Sequence, residues 1–188
     1  VAGIRHALAV VGAPPLPDAT LQSFLGPPLV DSFATLPDFD AARVTGALTA
    51  YRSHYDPVAA PLFPGVLDVV AQLHAAGLAL ALATSKPQPF ADQVVDAHGL
   101  RPFLTASVGW DDAAGRRSKA DCVGAALRAL GRPRAAVMVG DRIHDVEGAA
   151  AHGVPCIGVG WGYAPAGELA AAAAVVDTPT QLLGLLIP

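Results

Sequence analysis

A chain of 188 residues suits one compact domain with a small insert. With 53% apolar and 15% charged residues it is too hydrophobic for a disordered chain, yet no apolar run reaches the ~18 residues of a membrane span. A net charge of -4 gives no nucleic-acid footprint, the first residues lack a secretory signal pattern, and Cys122 and Cys156, outside any C-x-x-C pair, fit core thiols in a reducing cytoplasm.

Residues 1–11 read as a helix with Ile4, Leu8 and Val11 on one face, ended by Gly12 and the Pro14-Pro15 pair. Asp18 is expected to cap a short helix carrying Leu21, Phe24 and Leu25. After the turn Gly26-Pro27-Pro28 comes a second short helix, residues 29–36, and Asp38 or Asp40 starts a longer one to about Tyr55. Residues 1–60 thus read as a small helical bundle. The pattern changes at Pro61-Leu62-Phe63-Pro64-Gly65. Beyond it the spacing predicts a helix over 65–76, a strand over 78–83, a helix over 86–98 and a strand over 104–108. A helix over 118–130, strands over 135–139, 154–159 and 174–176, and a last helix from Thr178 follow, with Gly77, Gly99 and Gly153 as helix stops. Alternating strands and helices mean a parallel α/β sheet. The expected domains are 1–62, helical, and 63–188, α/β.

The stretch Ala135-Ala136-Val137-Met138-Val139-Gly140-Asp141-Arg142-Ile143-His144-Asp145 organises the second part. Its apolar start is that of a strand buried on both faces. It breaks at Gly140 and leads through Asp141 and Asp145 into a helix over 146–153, half of a βαβ unit. Ligands of open parallel sheets bind at the carboxyl ends of the strands. Carboxylates at i and i+4 share one helix face and offer the hard oxygen ligands that Mg²⁺ prefers. The plainer alternative makes Asp141 an N-cap and Asp145 an acid that complements the helix dipole.

Two further stretches belong to the same sheet edge. Thr84-Ser85-Lys86-Pro87 ends the strand over 78–83, and hydroxyls with exposed N–H groups at a helix start form an anion site; otherwise Thr84 or Ser85 is a simple N-cap. Lys119, after Arg116-Arg117-Ser118, opens a helix where a cation opposes the dipole by about 0.3–1 kcal/mol unless a phosphate sits nearby; out of context it is a solvated basic loop. A hydroxyl, an ammonium and two carboxylates with Mg²⁺ form a phosphoryl-transfer site. The chain has no G-x-x-x-x-G-K-[ST], no G-x-S-x-G and no H-E-x-x-H, and Gly158-Val159-Gly160-Trp161-Gly162 is not a dinucleotide fingerprint. His144 and His152 read as surface or supporting groups, and Arg52 and Arg142 as surface charge, with substrate contact as the alternative for each.

On these residues the chain resembles the haloacid dehalogenase superfamily, in its phosphoglycolate-phosphatase-like branch with a helical cap, over essentially its whole length. Thr84, within Ala83-Thr84-Ser85-Lys86, resembles the second motif, whose hydroxyl binds phosphate. Lys119 resembles the third-motif lysine, and Gly140 to Asp145 the fourth motif, whose acids hold Mg²⁺. Pro64-Gly65 resembles the cap hinge, Phe24 to Leu29 the cap turn that leans over the active site, and Val159 to Tyr163 the segment after the fifth strand. The resemblance implies a Rossmann-like core and Mg²⁺-dependent hydrolysis of small phosphate monoesters in the cytoplasm, with phosphoglycolate as the default substrate. It implies Thr84, Lys119, Asp141 and Asp145 as the catalytic set. Thr84, Ser85 and Lys119 would hold phosphate, and Asp141 and Asp145 the metal, Asp145 directly or through its waters. The implied partner is a small phosphorylated substrate, not nucleic acid or a membrane; a homodimer or a protein partner stays open. A second resemblance, to a mycobacterial protein tyrosine kinase of this fold, rests on Ser118-Lys119, Gly140 to Asp145, Ala149 to Gly153 and Trp161-Gly162-Tyr163, and implies regulatory phosphorylation. A third reading is a phosphate-binding module without turnover.

One family motif is missing. D-x-D-G-T, which supplies the nucleophilic and the acid/base aspartates on the first strand, does not occur, and Asp31-Ser32 lies inside the helical part. Val1-Ala2-Gly3-Ile4 resembles the helix that follows that motif. In the family's order the first strand lies between the strands ending at Val139 and Ala83. Leaving its ~5–6 residues out, at ~1–3 kcal/mol for each unsatisfied buried group, exceeds the ~5–15 kcal/mol that holds a domain together. The reading therefore expects an upstream segment that carries the nucleophile.

Overall fold

The computed structural model describes residues 1–56 and 61–187. The chain divides into two compact units between Asp56 and Pro57, and the expected division at 62/63 falls a few residues further on. Residues 57–60, the end of the expected helical part, lie outside the described residues.

The first unit consists of α1 (Ala2–Val10), α2 (Asp18–Ser23), α3 (Leu29–Ala34) and α4 (Ala41–Ser53). Its core is Ile4, Ala7, Leu8, Leu21, Phe24, Phe33, Val44, Ala47 and Ala50, with Val11 packed at its margin. Small residues let α1 and α4 approach: a Cβ on Gly3 would stand 3.0 Å from the Tyr51 ring, and one on Gly46 3.4 Å from Val11. Asp40 is the N-cap of α4, its carboxylate accepting from Arg43 N at 2.8 Å. Asp18 differs from its expected role. Pro17 is the N-cap, and Asp18 is the first helical residue, where its carboxylate pairs with Arg5.

The second unit runs α5 (Val66–Ala75), β1 (Leu80–Pro87), α6 (Gln88–Ala97), β2 (Leu104–Trp110), α7 (Lys119–Ala129), β3 (Met138–Gly140), α8 (Ile143–Ala150), β4 (Cys156–Val159), β5 (Ala174–Val176) and α9 (Gln181–Leu186). Every strand pairing is parallel, as expected for alternating strands and helices. The strands form two parallel sheets, β1-β2 and β3-β4-β5, divided between the strands that the sequence reading set on either side of a further one. The helices nevertheless cover both. Leu78 and Leu80 share one apolar cluster with Val69, Leu73, Ile157, Val159, Val176 and Leu182, and α7 packs on β1, on β2 and on α8. Strand β4, paired on both sides, is buried throughout. Strands β1 and β3 each have one partner, and they are only partly buried, with Val139 37% exposed.

Several element boundaries moved for local reasons. Strand β1 continues through Thr84, Ser85 and Lys86 to Pro87, and α6 starts at Gln88 rather than Lys86. A proline disfavours helical backbone in the residue before it. Strand β4 begins at Cys156 rather than Val154, because Pro155 has no N–H to give the ladder, and β3 pairs only over Met138–Gly140, opposite Cys156–Gly158. The last helix starts at Gln181, whose side-chain Oε1 accepts from Asp177 N and Thr178 N at 2.7 and 3.0 Å.

Candidate active site

Lys119 is the first residue of α7, behind the N-cap Ser118, whose Oγ accepts from Asp121 N at 3.0 Å. Asp121 in the same turn offsets the cation's clash with the helix dipole. The Lys119 side chain runs inward. Its Nζ donates to Ala83 O on β1 at 3.1 Å and lies 2.6 Å from Asp145 Oδ1. Both side chains are largely buried, 15% and 7% exposed. One ammonium therefore ties the end of the β1-β2 sheet to the helix that follows β3.

Asp145 is in the first turn of α8 and folds back on the loop before it. Its Oδ2 accepts from Asp141 N at 3.0 Å and from Arg142 N at 3.1 Å. With Lys119 on Oδ1, both oxygens are engaged. Asp141 precedes the helix, so the two acids do not share a helix face as their spacing suggested; they are related through the turn that Asp145 closes. Asp141 Oδ2 accepts from Tyr163 N at 2.8 Å. That amide belongs to the segment after β4, whose Trp161 packs into the core while Tyr163 is exposed and leans on Phe63.

Glycines clear the space these side chains occupy. A Cβ on Gly140 would overlap the Asp145 side chain, one on Gly162 the Asp141 side chain, and one on Gly148 the Lys119 stem. None of the three has a left-handed backbone conformation that would account for glycine. Thr84 directly follows the carbonyl that holds Lys119, and its Oγ1 accepts from Lys86 N at 3.2 Å. Ser85 is the next residue of β1 and is partly buried.

The other singled-out residues separate. His152 bonds Ala120 O at 2.8 Å and packs on Gly124, so it braces α8 against α7. His144 lines an open cleft of about 230 Å³ with Ser118, Lys119, Ala120, Glu147 and Gly148. Arg52 is exposed on α4. Arg142 is not surface charge: it is 7% exposed, and its Nε donates to Glu168 Oε1 at 2.7 Å. The same oxygen accepts from Ile143 N at 2.8 Å. Burial alone would raise the Glu168 carboxyl, but the Arg142 guanidinium and the Ile143 N–H outweigh it and hold the carboxyl below the usual range. Glu168 escaped the sequence reading. It is a single acid in an alanine-rich stretch, with no periodicity or motif to mark it.

Among the described residues no three His, Cys, Asp or Glu side chains gather as a metal cage. The chemistry of the site still suits Mg²⁺, which uses one or two carboxylates and keeps waters and phosphate oxygens for the rest. Asp141 has one carboxylate oxygen fixed by the Tyr163 amide, in a cradle that a Cβ on Gly162 would fill.

The Lys119 ammonium and the two acids thus lie where helices follow the parallel strands, the edge at which open parallel sheets bind ligands. The chain belongs to the haloacid dehalogenase-like hydrolases, whose family pattern matches residues 1–159. It is 38% identical over 168 residues to the tyrosine-protein kinase PtkA of Mycobacterium tuberculosis, covering 87% of this chain and 57% of that protein. It is 32% identical over 149 residues to the phosphoglycolate phosphatase of Salmonella typhi, covering 77% of this chain and 58% of the enzyme. The chain thus spans a little over half the length of these relatives. A predicted phosphatase from Clostridium acetobutylicum has the same fold, with a TM-score of 0.87 at 28% identity over 99% of this chain and 89% of its own. No described helix is long and apolar enough to cross a membrane.

Proposed function

We propose that the protein is a cytoplasmic, Mg²⁺-dependent phosphatase of small phosphate monoesters, phosphoglycolate being the first substrate to try. The observation that carries this reading is the Lys119 ammonium, held between Ala83 O and Asp145 Oδ1, with Thr84 the next residue along β1 after Ala83. A phosphoryl group that enters at the end of β1 meets a hydroxyl donor, the partly buried Ser85 and a cation whose position is set before the substrate arrives. Preorganised donors of this kind stabilise the charge that develops in phosphoryl transfer. Asp141 holds Mg²⁺, which when bound neutralises phosphoryl charge as a Lewis acid. Asp145 orients Lys119 and the Asp141 turn through the three donors on its oxygens, and would support the metal ion directly or through its waters.

The nucleophile in this reading is an aspartate on a further strand that pairs between β1 and β3. Support comes from those two strands, which have core-strand composition yet one partner each. The aspartate attacks phosphorus and the alcohol leaves with a proton from a second aspartate. Water then hydrolyses the phospho-aspartyl intermediate.

The 38% identity to PtkA favours a second reading, transfer of phosphate from ATP to a tyrosine of a protein partner. One assay separates the two: the full-length protein is given phosphoglycolate and related esters with Mg²⁺ or with EDTA, and ATP with a tyrosine peptide. Free phosphate from the esters, lost in EDTA, supports the phosphatase. Phosphotyrosine without ester turnover supports the kinase and overturns the first reading.

A further inference from the structure

Arg142 stands in sequence between the two acids of the site and carries a buried guanidinium. The residue is 7% exposed, follows Asp141 directly, and its backbone N–H donates to Asp145 Oδ2. A buried cation pairs with a carboxylate in its reach, and the two that the proposed reaction needs are its neighbours in sequence, one residue before it and three after. The guanidinium is instead bonded to Glu168, at 2.7 Å through Nε, and its Nη1 has no partner among the described residues. The side chain is thus held by its Nε edge, although a buried guanidinium with a free N–H would gain from a second acceptor.

Glu168 is itself anchored. Its neighbour Leu169 is 8% exposed in the cluster of Val146, Ala149 and Cys156, and Gly158 leaves room for the Leu169 side chain. Its Oε1 also takes Ile143 N at 2.8 Å, which ties the segment after β4 to the first residue of α8. The same segment gives the Tyr163 amide to Asp141 Oδ2. Glu168 lies outside residues 1–159, the part that matches the family.

We infer that Glu168 is a positioning residue which sequesters the Arg142 guanidinium, so that Asp141 keeps its bond to the Tyr163 amide and a carboxylate oxygen for a metal ion. The inference rests on the phosphatase reading only for what Asp141 is used for. The arrangement of the four groups does not depend on it.

The test uses the full-length protein with Glu168→Gln, which keeps the shape and an acceptor oxygen but loses the charge. Its metal-free readout is amide hydrogen exchange at Tyr163. The expected result is an exchange rate about tenfold higher in Glu168→Gln, with Mg²⁺ affinity by calorimetry falling by ~10-fold or more, the loss usual when a group supporting a metal ligand is removed. The double variant Arg142→Met/Glu168→Gln removes the competing cation and returns both quantities to near the original values. A group that only packs would show no such rescue. Unchanged Tyr163 exchange in Glu168→Gln overturns the inference, and so does a double variant no better than the single one. If Glu168→Gln does not fold, a folded double variant with original Tyr163 protection supports the inference; two unfolded variants overturn it. Absence of Mg²⁺ binding or of ester turnover in the unaltered protein speaks against the phosphatase reading and leaves the exchange result to decide on Glu168.

Discussion

The Lys119 ammonium lies 2.6 Å from the Asp145 carboxylate, and each is almost withdrawn from solvent. The two partners are not equivalent. Asp145 also accepts two backbone N–H groups, from Asp141 and Arg142, whereas Lys119 has Ala83 O as its other acceptor. Removing the acid leaves three donors without their acceptor; removing the lysine takes one donor group from two acceptors, Asp145 Oδ1 and Ala83 O.

Asp145→Ala is therefore expected to be the more damaging change. Breaking a buried ion pair from one side costs ~3–5 kcal/mol, and two orphaned N–H groups add to it. Lys119→Met keeps the stem's packing and leaves Asp145 with its two amides, so its loss is smaller. Urea unfolding of both variants checks the order, with midpoints compared at equal slope. A Lys119→Met protein less stable than Asp145→Ala would contradict it.

The glycines make a second prediction. Gly140→Ala and Gly162→Ala drive a methyl into Asp145 and Asp141 respectively. Each is expected to lose ~1–3 kcal/mol from overpacking and most of the site's activity. Gly184, inside α9 with nothing near its Cβ position, is the control. There alanine is expected to gain about 0.5–1 kcal/mol, because glycine is a poor helix residue. Thermal unfolding and turnover of the three variants decide. Equal behaviour at all three positions would remove the argument that glycine makes room for the site.

Much of this was readable in advance. Gly77, Gly99 and Gly153 stop their helices with positive φ, and Lys119 opens its helix as expected, whereas Thr84 and Ser85 lie inside β1 rather than after it and Asp145 inside α8 rather than ahead of it. Lys86 was read as helical although Pro87 follows it, a signal that the sequence did contain. Other features were beyond local pattern. Arg142 pairs with an acid in a different loop, so its burial is set by tertiary contacts that no periodicity encodes. Likewise the turn that brings Asp145 onto Asp141 N is built from side-chain acceptance of backbone donors, while a helical-wheel argument sees only spacing. The arrangement of the strands as two sheets under shared helices is likewise a tertiary property that no local pattern encodes.

Acid should weaken the fold through Glu168. Its carboxyl is held below its ordinary value, so the unfolded chain binds more protons across the window between the two values, and stability rises with pH there. This contribution is complete above the ordinary glutamate range, ~4.3, and is lost as the pH falls through the lower folded value. Glu168→Gln lacks it. The stability gap between the unaltered protein and this variant should close as the pH is lowered, as urea titrations at stepped pH would show. A gap that stays constant would contradict the pairing with Arg142.

The cysteines should be silent in the folded protein. Burial, with the Asp145 charge adding to it, pushes the Cys156 thiol up to about 11, and burial raises Cys122 as well. The thiolate is the reactive form, and both residues are buried. An aromatic disulfide reagent at pH 8 is expected to label neither until denaturant is added. Rapid labelling of the native protein would show that one of these helices or strands opens readily.

The central claim is that Lys119 holds the phosphoryl group of a small ester. The most direct measurement is phosphate release by the full-length protein with Mg²⁺, for the unaltered chain beside Lys119→Met, with folding of both verified by circular dichroism. The account predicts turnover that falls by about a thousandfold in the variant, the scale seen when a preorganised donor to transition-state charge is removed. Equal turnover by a folded Lys119→Met protein would contradict it.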